Sequence, residues 1–238
     1  MQSNSTFVAR HIEALKTDAQ TSSTREKVLA CFALGFCSDP AVLPILVRNM
    51  EDVSPLVRAN SAASTGLLMY RKVISQEQAP FAAYRKMLGS RAWEDNASAL
   101  YALRFILTPG QDMGFSDVVT PLFKHPMAEV RLEAVSLAAI LEHSALYDPV
   151  RALMDDPEVF IRMNAVKAVA RIGKQKSIPD LVRAMASQVD DIVKVAVLQL
   201  DRLAPKGLEY ACDVDGHAQP AAGNCPRCHK PLTPRAKQ

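Results

Sequence analysis

Six related segments recur along this chain at intervals of 33, 36, 37, 31 and 32 residues, anchored at Arg25, Arg58, Glu94, Arg131, Arg162 and Lys194. One residue before each anchor stand Thr24, Val57, Trp93, Val130, Ile161 and Val193. Eight residues after come Ala33, Gly66, Ala102, Ala139, Ala170 and Arg202, followed by Leu34, Leu67, Leu103, Ile140, Arg171 and Leu203. Offsets of three, four and eight mark one face of a helix. The small residues at the eighth offset allow a neighbouring helix to approach closely, and the large aliphatic beside them fills the gap. A chain built this way must stack its units, because no single unit can bury its own apolar faces.

Before most of these helices lies a second amphipathic stretch, at residues 41–50, 80–88, 150–154 and 178–185. Pro40, Pro149 and Pro179 suit a first helical turn, where the missing N–H has no partner to lose. Ser75 followed by Gln78 has the spacing of a capping box. The expected unit is a helix pair of about 30 to 40 residues.

The runs Asp52-Val53-Ser54-Pro55-Leu56-Val57-Arg58, Met127-Ala128-Glu129-Val130-Arg131 and Asp155-Asp156-Pro157-Glu158-Val159-Phe160-Ile161-Arg162 resemble the turn and second helix of HEAT repeats. The resemblance spans roughly residues 6–204. It implies an all-α fold, a right-handed α-solenoid of about six helix pairs over residues 1–205, followed by a small metal-bound module over residues 206–238. It also implies a ladder in which Asp52, Asp156 and Asp190 pair with Arg58, Arg162 and Lys194 or their neighbours. Solenoids serve many roles, so function has to come from sites.

Lys and Arg number 28 against 25 Asp and Glu, a formal charge of +3, so neither nucleic acid nor an anionic membrane is an expected partner. No stretch approaches 18 consecutive apolar residues, and residues 1–20 lack the pattern of a signal peptide. A cytoplasmic location is the expectation. The anchor row changes sign at Glu94, beside the only tryptophan, Trp93, and these two residues are candidate partner contacts on the concave surface. Residues 108–117, with Pro109, Gly110 and Gly114, read as a loop. Its Met113 and Phe115 either dock into a partner or fold back onto helix ends.

Periodicity ends after Leu203, and the remaining segment is too short for an apolar core. It holds Cys212, His217, Cys225, Cys228 and His229, spaced Cys-x4-His-x7-Cys-x2-Cys with the second histidine adjoining. Thiolate and imidazole are the ligands of tetrahedral structural zinc, and metal binding supplies folding energy that such a segment lacks. The expected ligands are Cys212, His217, Cys225 and Cys228, with His229 as a substitute for His217. Tyr210-Ala211-Cys212 and Gly223-Asn224-Cys225-Pro226-Arg227-Cys228 resemble the small heavy-metal-binding module attached to copper-handling proteins. The family's opening methionine is missing, Cys212 and His217 stand farther apart, and His229-Lys230 replaces its Gly-Met. One structural zinc is therefore expected, ahead of copper. Cys225-Pro226-Arg227-Cys228-His229 also fits c-type haem attachment, but Cys212 and His217 would then be idle. Cys31 and Cys37 sit in an apolar stretch and read as small core residues.

No phosphate-binding loop, Gly-x-Ser-x-Gly elbow, dinucleotide fingerprint or His-Glu-x-x-His helix occurs. The expectation is an adaptor that grips a segment of another protein on the concave face, with no catalytic residues. Bilin-lyase-like or glycosylase-like enzymes and metal-delivery proteins are the alternatives.

Overall fold

The computed structural model describes residues 12–21, 23–214, 216 and 218–237. The chain divides into two compact units, Met1–Leu141 and Glu142–Gln238. In the first, residues 12–18 are helical and precede α1 (Thr24–Leu34), α2 (Leu43–Asn49), α3 (Pro55–Tyr70), α4 (Phe81–Leu88), α5 (Trp93–Ile106), α6 (Phe115–Val119) and α7 (Ala128–Leu141). The second holds α8 (Tyr147–Ala152), α9 (Val159–Gly173), α10 (Ile178–Ala184) and α11 (Asp190–Leu203). Three short strands follow, β1 (Leu208–Ala211), β2 (Ala218–Gln219) and β3 (Thr233–Ala236). The described strands all lie beyond Leu203.

Within the first unit α1, α3, α5 and α7 pack in sequence, and α3, α5 and α7 are each also covered by the shorter helix before them. The same arrangement relates α9, α11, α8 and α10 in the second unit. Small residues set the spacing as the repeat requires. A Cβ built on Gly66 of α3 would lie 2.7 Å from the Cα of Ala102 on α5, so the backbones meet there directly. Gly66→Val should therefore destabilise the first unit by about 1–3 kcal/mol through overpacking. A urea titration followed by tryptophan fluorescence measures it, and an unchanged midpoint would mean that α3 and α5 separate freely.

Polar side chains cross-link these helices where apolar packing alone would leave register open. Ser64 Oγ donates to the Cys31 carbonyl at 2.8 Å, and Asn49 Nδ2 donates to the Ala19 carbonyl at 2.7 Å. The Tyr84 hydroxyl is fully buried against Thr65 and Ala62, and burial pushes its pKa well above the usual phenolic range. Cys31 is buried as expected of a small hydrophobe.

The fourth residues of the second helices are Lys27, Arg58, Asn96, Arg131, Arg162 and Val193, and Arg58, Asn96, Arg131 and Arg162 share a task. Helical side chains lean towards the N-terminus, so a long donor here reaches back to loop carbonyls that no helical N–H can meet. Arg58 Nη1 donates to Asp52 and Val53, Arg131 Nη1 to His125 and Pro126, and Arg162 Nη1 to Asp156 and Pro157, all at 2.8–3.1 Å. Asn96 does the same with Met87, Leu88 and Ser90. The sign change expected at Glu94 is thus a slip of register by two residues. Asn96 is the repeat's donor there, and Lys27 takes the place of Arg25.

The expected ladder is corrected accordingly. The Asp52 carboxylate accepts from Lys27 of the preceding repeat at 2.6 Å, while Arg58 reaches only the Asp52 backbone carbonyl. Arg58 instead forks onto Asp95 of the following repeat, with Nε at 3.0 Å and Nη2 at 2.7 Å. Lys194 pairs with Asp191, not Asp190, one turn away on its own helix.

After α11 the chain forms a three-stranded antiparallel sheet in the order β2-β1-β3, with Tyr210 opposite both Gln219 and Pro234. Helix α10 packs against β3.

Candidate metal centre and exposed surfaces

The metal-ligand candidates lie beyond the ends of these strands. Cys212 follows β1 directly, while Cys225 and Cys228 sit on a tight turn between two short extended segments. That turn is closed by Cys225 N–H to the Lys230 carbonyl at 2.8 Å and by His229 N–H to the Cys225 carbonyl at 2.9 Å. A bridge between Asn224 and Pro231 and a bond from Leu232 N–H to the Gly223 carbonyl extend it. His229 adopts φ +59°, a left-handed conformation that reverses the chain at the end of the turn.

The Sγ atoms of Cys212, Cys225 and Cys228 all lie within 4.8 Å of one another, with Cys212 and Cys228 3.4 Å apart. Sulfurs sharing a tetrahedral zinc at about 2.3 Å would be about 3.8 Å apart, so the three fit one ion. Cys212 and Cys225 are buried with Leu232, against Tyr210 and Cys228, and that small cluster is the module's apolar core. His229 is exposed and stands outside the sulfur cluster. His217 lies outside the described residues. Metal-delivery chemistry would use the same three sulfurs.

The loop candidates separate. Phe115 is fully buried, its ring beneath the Arg85 guanidinium at 4.3 Å and tilted against Phe81, so it is not available to a partner. Residues 108–117 are pinned, not mobile bait. Arg85 donates to the Gly114 and Met113 carbonyls, Asp112 accepts from the N–H groups of Gly114 and Ser116, and helix α6 starts inside the stretch. Met113 remains 46% exposed, and Trp93, at the first turn of α5, is 37% exposed beside a half-buried Glu94.

An aromatic row that the repeat reading overlooked is the more extensive surface. On α5, Tyr101 and Phe105 meet edge to face at 4.9 Å, and Tyr70 of α3 meets Phe105 at 5.4 Å. Phe32 and Phe36 form a similar pair at 5.2 Å on and just beyond α1. Tyr70 is 67% exposed and Phe32 56%. The signal was legible, since Phe32 and Phe36 stand seven and eleven residues after Arg25 as Tyr101 and Phe105 do after Glu94.

Polar grooves lie at the turns between repeats. In the first unit a cavity of about 320 Å³ is lined by Glu51, Asp52, Arg58, Lys86, Ser90 and Asp95 among others. Its charges are paired internally: Lys86 holds Glu51 at 2.9 Å, Lys27 holds Asp52 and Arg58 holds Asp95. Burial pulls the Asp52 pKa up, but the Lys27 ammonium and the Ser54 N–H outweigh it and hold the carboxyl below its usual range. Asp95 is 2% exposed. Such a groove is a structural clasp.

Residues 116–200 match the family of HEAT repeats. Among curated proteins no sequence matches the chain. Solved structures are similar over most of its length. An engineered protein aligns with a TM-score of 0.65 at 17% identity, covering 81% of this chain and 96% of that one. A designed armadillo repeat protein, solved in complex with the peptide (KR)4, aligns at 0.64 and 17%, covering 81% and 99%. The complex of CpcE and CpcF of phycocyanin lyase from Nostoc sp. PCC7120 aligns at 0.59 and 15%, covering 81% and 76%. At these identities the likeness establishes the fold, an all-α solenoid of the armadillo and HEAT kind. No helix among the described residues is long and apolar enough to cross a membrane.

Proposed function

We propose that this chain is a non-catalytic adaptor that binds an extended segment of another protein along its second helices, and that one structural zinc ion holds its C-terminal module. The observation that carries the first part is the row of Phe32, Phe36, Tyr70, Tyr101 and Phe105 on successive second helices of the first unit. Aromatic side chains bring large contact area at low cost in conformational entropy and are enriched where partners bind. The similar designed armadillo repeat protein, solved in complex with the peptide (KR)4, supports a peptide-binding role for such a stack of repeats. The concave face is the surface on which this reading places the partner.

For the metal, Cys212, Cys225 and Cys228 would supply three thiolates and His217 the fourth ligand. When bound, zinc supplies folding energy to a segment whose own apolar core is three buried residues and their neighbours. The chain's part is to hold the sulfurs together, through the closed turn at Cys225 and the strand that delivers Cys212. Residues 206–238 contain no methionine, which favours zinc over Cu(I).

The likeness to the phycocyanin lyase complex favours one alternative, an enzyme subunit that works paired with a second solenoid. Covalent bilin transfer in the presence of this chain would be its signature.

A photo-crosslinking residue placed at Tyr101, and separately at the exposed Glu77 as a control, tests the adaptor reading. The expected result is one protein captured from position 101 and not from position 77, with capture reduced at least tenfold by Tyr70→Ala. Equal labelling from both positions, or capture unaffected by Tyr70→Ala, would overturn it.

A further inference from the structure

The clasp at Arg58 has a counterpart in the second unit that keeps the charge or polarity of every matched position but one. There a cavity of about 290 Å³ is lined by Asp155, Arg162, Arg183, Ser187 and Ile192 among others. Counted along the helices, these residues match Glu51, Arg58, Lys86, Ser90 and Asp95 in order. Arg58 and Arg162 are each the fourth residue of their helix, and Asp95 and Ile192 each the third of the next second helix. Ser90 Oγ accepts from Ala92 N–H at 3.1 Å, as Ser187 Oγ does from Val189 N–H at 3.1 Å. The basic residue at the end of the first helix holds an acid across the turn in both, Lys86 with Glu51 at 2.9 Å and Arg183 with Asp155 at 3.3 Å.

The difference is the carboxylate that receives the arginine fork. In the first unit Asp95 accepts from both Nε and Nη2 of Arg58. In the second the position is Ile192, whose side chain offers no acceptor. Arg162 Nη1 is spent on the Asp156 and Pro157 carbonyls, and among the described residues none accepts from its Nε or Nη2. Arg183 lines the same cavity with its side chain 52% exposed. A guanidinium edge fixed by two backbone bonds, facing a cavity with a second arginine on it, is pre-organised for a planar two-oxygen acceptor.

We propose that this cavity binds a carboxylate side chain from an acidic segment of a partner protein, received by the Nε–Nη2 edge of Arg162, with the exposed Arg183, paired with Asp155, as a further donor at the rim. The carboxylate is chosen over other anions because the sister groove shows the occupant that this edge takes. The source of the carboxylate rests on the adaptor reading. The cavity itself does not.

The test uses the full chain and acetylated, amidated hexaglutamate, with inorganic phosphate as the competing small anion. Arginine Nε–Hε resonances are followed by NMR. Saturable shifts of the Arg162 and Arg183 signals by hexaglutamate are expected, weakened at least tenfold by Ile192→Asp, which supplies the missing carboxylate from within. Ile192→Asn, polar but uncharged, should keep binding within about threefold. Should Ile192→Asp fail to fold, Arg183→Gln, at an exposed position, should weaken binding severalfold. Shifts by phosphate alone would overturn the assignment to an acidic side chain. No shift with either probe would overturn the cavity as a site, whereas failure of the adaptor reading would appear separately in the crosslinking from position 101.

Discussion

Replacing Arg58 with alanine is expected to destabilise the first unit by about 3–5 kcal/mol, the range for leaving one member of a buried ion pair alone. Asp95 is 2% exposed and receives three contacts from this guanidinium, at 2.7–3.1 Å. The same side chain also satisfies the Asp52 and Val53 carbonyls at the turn. Arg58→Ala therefore strands a carboxylate and opens a loop at once. Asp95→Ala should cost less, about 1–2 kcal/mol, because the guanidinium keeps its carbonyl bonds and retains some access to water. A paired Arg58→Met, Asp95→Leu change should recover part of the loss, since an apolar pair carries no desolvation penalty. Trp93, the only tryptophan and two residues from Asp95, reports unfolding of this unit in urea. A loss below about 1 kcal/mol for Arg58→Ala would mean that water reaches Asp95 and that the clasp is ornamental.

Cys225→Ser with Cys228→Ser is expected to remove the bound metal altogether, from about one zinc per chain to none by elemental analysis. Two of the three clustered sulfurs disappear, and the apolar cluster they share with Cys212 and Leu232 is too small to hold the turn. Amide hydrogen exchange should rise to that of an open chain over residues 208–236, while amides of α3 and α5 keep their protection. Because β3 packs on α10, a smaller loss of protection should reach residues 178–184. Chelation of the wild-type protein should reproduce the pattern. Wild-type protein purified without zinc, or a module equally protected without its cysteines, would end the structural-zinc reading. Copper in its place would turn attention to metal delivery.

How far the residues spoke for themselves follows from how local each signal is. A helix pair repeated in register announces itself, because helical periodicity and small residues at the packing positions are properties of neighbours in sequence. Thus Gly66 and Ala102 pointed to close helix approach before any contact was visible. The spacing of Cys212, Cys225 and Cys228 pointed to one cluster because a Cys-x2-Cys turn constrains its own sulfurs, and the sheet brings the third within 4.8 Å.

What sequence alone left open depends on partners far along the chain. Whether Phe115 faced a partner or the core was decided by Arg85 and Phe81, some thirty residues earlier, which cover it. The ladder was misassigned because Asp52 meets Lys27 of the preceding repeat and Arg58 meets Asp95 of the following one, pairings that only the stacking of repeats creates. Asp95 and Ile192 look like unremarked positions in a string of residues. They differ in meaning because tertiary structure sets each against an arginine from the preceding repeat, where Asp95 supplies a buried carboxylate and Ile192 leaves the guanidinium edge open. Periodicity encodes which faces are buried, but a side chain's charge partner is chosen by the stacking of units, and that choice exists only in three dimensions.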